Sequence, residues 1–135
     1  MGGTVHMVGC PHGLVHAVRE AAAPRLRASR GRPRERTRIL VIGPDAEDPV
    51  GLAQEAHRVA PDATVVLVTS PGGTAEVHAL LLTAPGVGKD LHVVDLEAAL
   101  SGALAGIVRG SVARRRSQAR LREANEFLRR AMQLL

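Results

Sequence analysis

The chain has 135 residues and 45% hydrophobic content, with one Phe and neither Trp nor Tyr. One compact domain with an Ala, Val and Leu interior is the expectation, and single-stranded nucleic acid binding by aromatic stacking is excluded. The formal charge is +5, but the cations are almost all Arg and fall into two blocks, residues 25–38 and 109–130, with a neutral to acidic stretch between them. That uneven distribution weighs against nucleic acid as the partner.

Cys10 is the single cysteine. No secretory pattern opens the chain, and no run approaches the roughly 20 apolar residues of a membrane span, so a reducing, cytoplasmic setting is expected. Residues 4–9 read as a short strand closed by Gly9-Cys10-Pro11. A helix follows from His12, since Leu14, Val15, Val18, Ala21 and Ala22 recur at three- and four-residue spacing, and Pro24 ends or kinks it. Residues 27–37 are crowded with Arg and lack apolar periodicity, which predicts an exposed linker.

Ile39 to Ile42 form an unbroken, mostly β-branched run that stops at Gly43-Pro44. A strand without polar alternation is buried on both faces, which points to a parallel sheet covered by helices. An acidic loop follows (Asp45, Glu47, Asp48), and a helix opens behind Pro49 with Asp48 as its cap and Leu52, Ala53, Ala56 and Val59 as its buried stripe. Residues 63–69 repeat the buried-strand pattern and end in Thr69-Ser70. Thr74 is placed to cap a helix carrying Val77, Leu80, Leu81 and Leu82. Leu91 to Val94 is a shorter strand, expected near the sheet edge.

From Asp95 the pattern is helical without a clear stop. Leu96, Ala99, Leu100, Ala103, Leu104, Ile107 and Val108 would pack on the sheet. Beyond Arg109 the apolar stripe narrows to Leu121, Asn125, Leu128, Met132 and Leu135, at spacings of four, three, four and three. This is coiled-coil spacing, with Asn125 where a buried Asn sets register and dimeric state. Alternating strands and helices give a three-layer α/β/α sandwich around a sheet of four or five parallel strands, four if residues 27–37 supply none. The parts are a first strand and helix over 1–26, a linker over 27–37, a core over 38–108 and a dimerising helix over 109–135.

The region from Arg38 to about Val108 resembles the second half of the response-regulator receiver domain. Ile39-Leu-Val-Ile-Gly43 falls on its acceptor strand, Val65-Val-Leu-Val-Thr69-Ser70 on its switch-residue strand and Leu91-His-Val-Val94-Asp95 on its last strand. Leu40 to Gln54, with Ala60-Pro-Asp62 after it, resembles the degenerate receiver-like domains that precede PAS modules in bacterial sensor histidine kinases. The resemblance implies a flavodoxin-like fold and a role in two-component signalling, with a protein or a second copy of the chain as partner.

The catalytic set that the resemblance implies is missing. Gly43 stands where the acceptor Asp belongs, Gly9-Cys10 replaces the acidic pair that holds Mg²⁺, and Val94 or Asp95 replaces the Lys that contacts the phosphoryl group. Only Thr69 matches. Phosphoryl transfer needs a carboxylate nucleophile and a cation held by oxygen ligands, so no catalysis, metal or cofactor is expected.

Asp45, Asp48, Thr69 and Ser70 remain as a candidate phosphate or ligand loop. Two alternatives stand: a small nucleotide- or anion-binding α/β domain using Ser70 to Gly73, and a true phospho-receiver using Asp45. Cys10, His12 and His16 make an incomplete metal trio. Gly86-Val-Gly-Lys89-Asp90 departs from the phosphate-loop pattern because Asp90 stands where a hydroxyl is needed.

Overall fold

The structure is a computed structural model describing residues 3–71, 73–88 and 90–134; the side chains of Thr74 and Leu82 and all of Leu135, one seam position, lie outside what is described. Five strands, β1 (Thr4–Val8), β2 (Arg27–Arg30), β3 (Thr37–Ile42), β4 (Thr64–Thr69) and β5 (Leu91–Asp95), form one parallel sheet in the order β2-β1-β3-β4-β5. This is the doubly wound, flavodoxin-like order.

The side chains divide by the two-residue period of a strand. Val5, Met7, Ile39, Val41, Val66 and Val68 meet α1 (His12–Ala22) and α5 (Leu104–Gln133) on one face. Leu40, Ile42, Val65 and Leu67 meet α2 (Pro49–Val59) and α3 (Thr74–Thr83) on the other. Asp48 caps α2 as its sequence implies, accepting from the Gly51 N–H at 3.0 Å. The N-cap of α3 is Gly73, so Thr74 is its first helical residue and not its cap.

Within residues 27–37 only 31–36 are a loop; the first four residues are a strand. Arg27 to Arg30 pair with Thr4 to Met7 as the edge strand β2, which makes the strand count five. The segment escapes an apolar pattern because an edge strand four residues long buries little; its hydrogen bonds to β1 define it, and its Arg side chains blunt the open edge. The crossover from β2 to β3 uses residues 31–36 alone, fewer than the roughly dozen usual for parallel strands. No helix fits there. Pro33 is buried within the crossover, and Arg32 latches it to α2 through Glu55 at 2.6 Å.

His6 lies beneath that crossover, its Nδ1 2.7 Å from Thr37 Oγ1, which also accepts from the Arg34 N–H at 2.8 Å. Burial, then the nearby Arg34 charge, holds the imidazole below its ordinary value of 6.5. The unfolded chain therefore binds this proton more readily than the native one. The neutral imidazole's contribution to stability is present above 6.5 and is lost as pH falls through the lower native value. His6→Gln, which keeps a polar partner for Thr37, is expected to flatten the loss of melting temperature in that window, read by circular dichroism.

The C-terminal helix is not uniform. Asp95 caps a short α4 (Leu96–Ala98), accepting from the Ala98 N–H at 2.7 Å, and a π-helical stretch (Ala99–Ala103) follows. Gly102 bends the chain there at φ 109°, a conformation open to glycine and costly for other residues. The bend turns Leu100 outward, so it is exposed where the periodicity placed it on the sheet; Leu80 in α3 is likewise exposed. Ala99, Leu104 and Val108 do enter the core. Leu96–Gln133 contains an 18-residue window of mean hydropathy 1.2, and part of that apolar character is used in this packing.

A polar staple fastens α5 to the lower end of the sheet. The buried Thr64 hydroxyl donates to Asp90 Oδ2 at 2.5 Å, and Ser111 Oγ lies 3.0 Å from it. Arg114 Nη2 donates to Thr64 Oγ1 at 3.1 Å and to the Asp90 carboxylate, and His92 Nε2 is 3.3 Å from the other Asp90 oxygen. Arg114→Ala is expected to cost about 1–2 kcal/mol, since it strips a charged donor from two partly desolvated acceptors. Urea unfolding measures that cost, and hydrogen exchange in α5 near Ser111 is expected to speed up.

Candidate functional site

In a doubly wound sheet the ligand position lies at the carboxyl ends of the strands where the strand order reverses, here between β1 and β3. The loops at that point are residues 9–11 and 43–48. They are drawn together by backbone hydrogen bonds: Gly43 N–H to the Val8 carbonyl at 2.8 Å and Asp45 N–H to the Gly9 carbonyl at 3.0 Å. Two glycines make this approach possible. A Cβ built on Gly43 would lie 2.2 Å from the Gly9 oxygen and 2.7 Å from Cys10 Cα. One on Gly9, which sits at φ 66°, would lie 2.3 Å from the Ala46 nitrogen. Backbone fills the space into which an acceptor side chain at position 43 would project.

Asp45, Glu47 and Asp48 are exposed, and Asp48 is engaged as the α2 cap. They border an open groove of about 480 Å³ with Arg32, Glu55 and Arg58 across it. Among the described residues no group of three or more His, Cys, Asp or Glu converges as a metal ion requires. At the end of β5 the Asp95 carboxylate caps α4.

Thr69 is buried at the end of β4, and its hydroxyl donates to the Val94 carbonyl at 3.5 Å, on the β5 side. Ser70 is exposed, and its carbonyl accepts from the Gly73 N–H at 3.0 Å in the turn leading into α3. The four candidate loop residues therefore stand at the same end of the sheet without forming one cluster: Asp45 and Asp48 flank β3, Thr69 and Ser70 follow β4.

Cys10 points back into the fold, its sulfur 3.7 Å from both the Val8 and Val41 carbonyls. Burial pushes its thiol up to about 11, so the unreactive protonated form holds at neutral pH. His12 is exposed, and His16 pairs with Glu20 at 3.0 Å on the solvent side of α1, away from Cys10. The two histidines and the cysteine do not meet.

The seam residues Leu121, Leu128 and Met132 are 63%, 58% and 73% exposed, and Asn125 is exposed beside them. At roughly 100° per residue these four lie within about 60° of arc on α5. The direction they share is rotated roughly 100° from that of Leu104, Val108 and Ser111, which face the domain. Spacing alone picks out these positions as a candidate seam. It does not identify the Thr64–Asp90–Ser111–Arg114 staple, whose members are far apart in the chain and carry no motif; the nearest signal was a Ser inside an otherwise apolar helical face.

No protein-family model matches this chain, and none of the curated proteins does. Among solved structures it is similar to one described as an adenylate cyclase from Rhodopirellula baltica, with a TM-score of 0.60 over 90% of this chain and 98% of that one. The two are 6% identical, so the likeness is one of fold: a five-stranded parallel α/β domain.

Proposed function

We propose that this chain is a non-catalytic, receiver-like signalling domain of a two-component type protein, which works by protein–protein interaction and pairs with a second copy of itself through α5. The observation that carries the reading is the contact at Gly43, where the Gly9–Cys10 backbone occupies the place of the acceptor side chain. A receiver so altered keeps its shape while losing the nucleophile and the cation site that its chemistry requires. Communication then rests on the surfaces that remain.

The seam supports the second part of the reading. Its apolar residues are exposed, follow coiled-coil spacing with one Asn, and lie well away from the face used to dock α5. The fold shared with the adenylate cyclase structure is compatible with a signalling role and carries no activity to this chain. The staple at Thr64 and Arg114 ties the amino end of the sheet to α5, the helix that carries the seam.

Incubating the purified chain with acetyl phosphate and Mg²⁺ and weighing it intact tests the first part. The mass is expected to stay unchanged, and a phosphate adduct on Asp45 would overturn the reading. Sedimentation equilibrium is expected to return the mass of a dimer.

A further inference from the structure

The sheet has a second end. Below the amino ends of the strands, where α5 leaves the domain, a concavity of about 590 Å³ gathers Arg25, Arg38, Arg115, Arg116, Arg122 and Asp62. These residues come from three separate parts of the fold: the segment after α1, the start of β3 with the turn before β4, and two turns of α5. Sequence shows two Arg-rich blocks; folding brings selected members of each to the same wall.

The charge at this wall is poorly balanced from within. Five guanidiniums face one carboxylate among the described lining residues. That carboxylate stands 3.9 Å from Arg122, and Arg115 Nη2 donates to the Asp62 backbone carbonyl at 3.2 Å, an acceptor without formal charge. Arg32, by comparison, meets Glu55 at 2.6 Å. Desolvation, then repulsion from Arg38, holds the Arg115 guanidinium below its ordinary value, with Arg114 and Arg122 adding to the repulsion and Asp62 opposing it. Like charges lining one concavity, with Arg38 and Arg115 half-buried and the other three exposed, favour an anion that spans them.

We propose that this cavity binds a compact polyphosphate, the triphosphate chain of a nucleotide or its inorganic counterpart, between the domain and α5. The volume falls in the range of small-molecule pockets, roughly 300–1,000 Å³. The wall is concave and its cations converge, whereas nucleic acid calls for cations spread along a face that follows a phosphate backbone. A triphosphate has charge of comparable size and opposite sign to the excess here, and its oxygens suit bidentate guanidinium contacts.

The rest of the lining includes Leu26, Val112 and Ala119 and no aromatic ring, so the phosphate chain is the recognised part and the base is not. A ligand seated there touches Arg25 and Arg38 on the body and Arg116 and Arg122 on the helix. Occupancy thus fixes the direction in which the seam leaves the domain.

Isothermal titration of the full chain at constant ionic strength tests this with inorganic tripolyphosphate, ATP and AMP. Tripolyphosphate and ATP are expected to bind, and AMP at least about tenfold more weakly, because each charge-assisted hydrogen bond lost is worth that much or more. Comparable binding of the first two makes the phosphate chain the ligand; a preference for ATP makes the nucleotide its source. The variant Arg25→Gln/Arg116→Gln/Arg122→Gln alters exposed side chains only, so its melting temperature is expected to stay near that of the parent. It is expected to lose at least about tenfold in affinity for both.

The variant Arg19→Gln/Arg58→Gln/Arg109→Gln removes equal charge at exposed positions outside the cavity and is expected to bind as the parent does. Equal weakening by the two variants would show diffuse charge attraction and overturn the proposal. So would a failure of both polyphosphates to bind the parent, or displacement of tripolyphosphate by duplex DNA at lower phosphate concentration.

Discussion

Replacing Gly43 with Asp, which restores the residue type of an acceptor strand, is expected to lower the melting temperature by about 10 °C or more and to create no phosphoryl acceptor. The new Cβ would lie 2.2 Å from a carbonyl oxygen and 2.7 Å from a Cα, both backbone atoms of the Gly9–Cys10 turn. A clash with a flexible side chain is relieved by rotation. This one requires the β1 loop to move, and that loop is held by the Gly43 to Val8 and Asp45 to Gly9 hydrogen bonds.

Overpacking costs about 1–3 kcal/mol or more, and a carboxylate at a buried position adds desolvation. Gly13→Ala is the contrasting substitution. It lies in α1 with nothing within 4 Å of the new methyl, and is expected to stabilise by about 0.5–1 kcal/mol through helix propensity. Circular dichroism melts of the two variants check both signs. A Gly43→Asp chain that melts like the parent, or gains mass with acetyl phosphate, would remove the ground for a receiver without chemistry.

Leu128→Asp is expected to weaken self-association at least about a hundredfold, leaving a monomer with an intact α/β domain. Each dimer carries the substitution twice, and each places a carboxylate where a leucine would enter the partner's seam. The domain does not depend on this position, because Leu128 is exposed and lies far beyond Val108, the last apolar residue of α5 in the core.

Phe127→Asp is the control. Phe127 is the bulkier and more exposed hydrophobe, yet it sits roughly 100° from Leu128 around the helix and off the seam, so little change is expected. Asn125→Val is expected to tighten association while blurring register and oligomer size, since a buried Asn exacts stability in return for a single arrangement. Sedimentation equilibrium distinguishes these outcomes. A parent chain that stays monomeric at high micromolar concentration would sink the pairing part of the proposal and leave the Gly43 argument untouched.

The legible parts of the fold were those with strong local signals. β3 and β4 announced themselves by unbroken β-branched runs, and the Asp48-Pro49 pair marked the start of α2 at the right residue. The shared face of Leu121, Asn125, Leu128 and Met132 was readable because a helix repeats its faces at a fixed angle. β2 was not readable. Its four residues hold little apolar surface, and its identity lies in hydrogen bonds to β1, which no composition records. Leu80 and Leu100 were misplaced for a related reason, since periodicity gives a face but does not say how far a neighbouring layer extends.

By itself the sequence determined the parallel α/β class and the spacing along α5, because each depends on residue types close together in the chain. Only the tertiary structure decided that Gly43 has no room for a side chain, that Thr64, Asp90, Ser111 and Arg114 join sheet to helix, and that five arginines line one cavity. Those facts arise where distant segments approach one another, and a linear pattern does not encode distances between segments that it does not bring together.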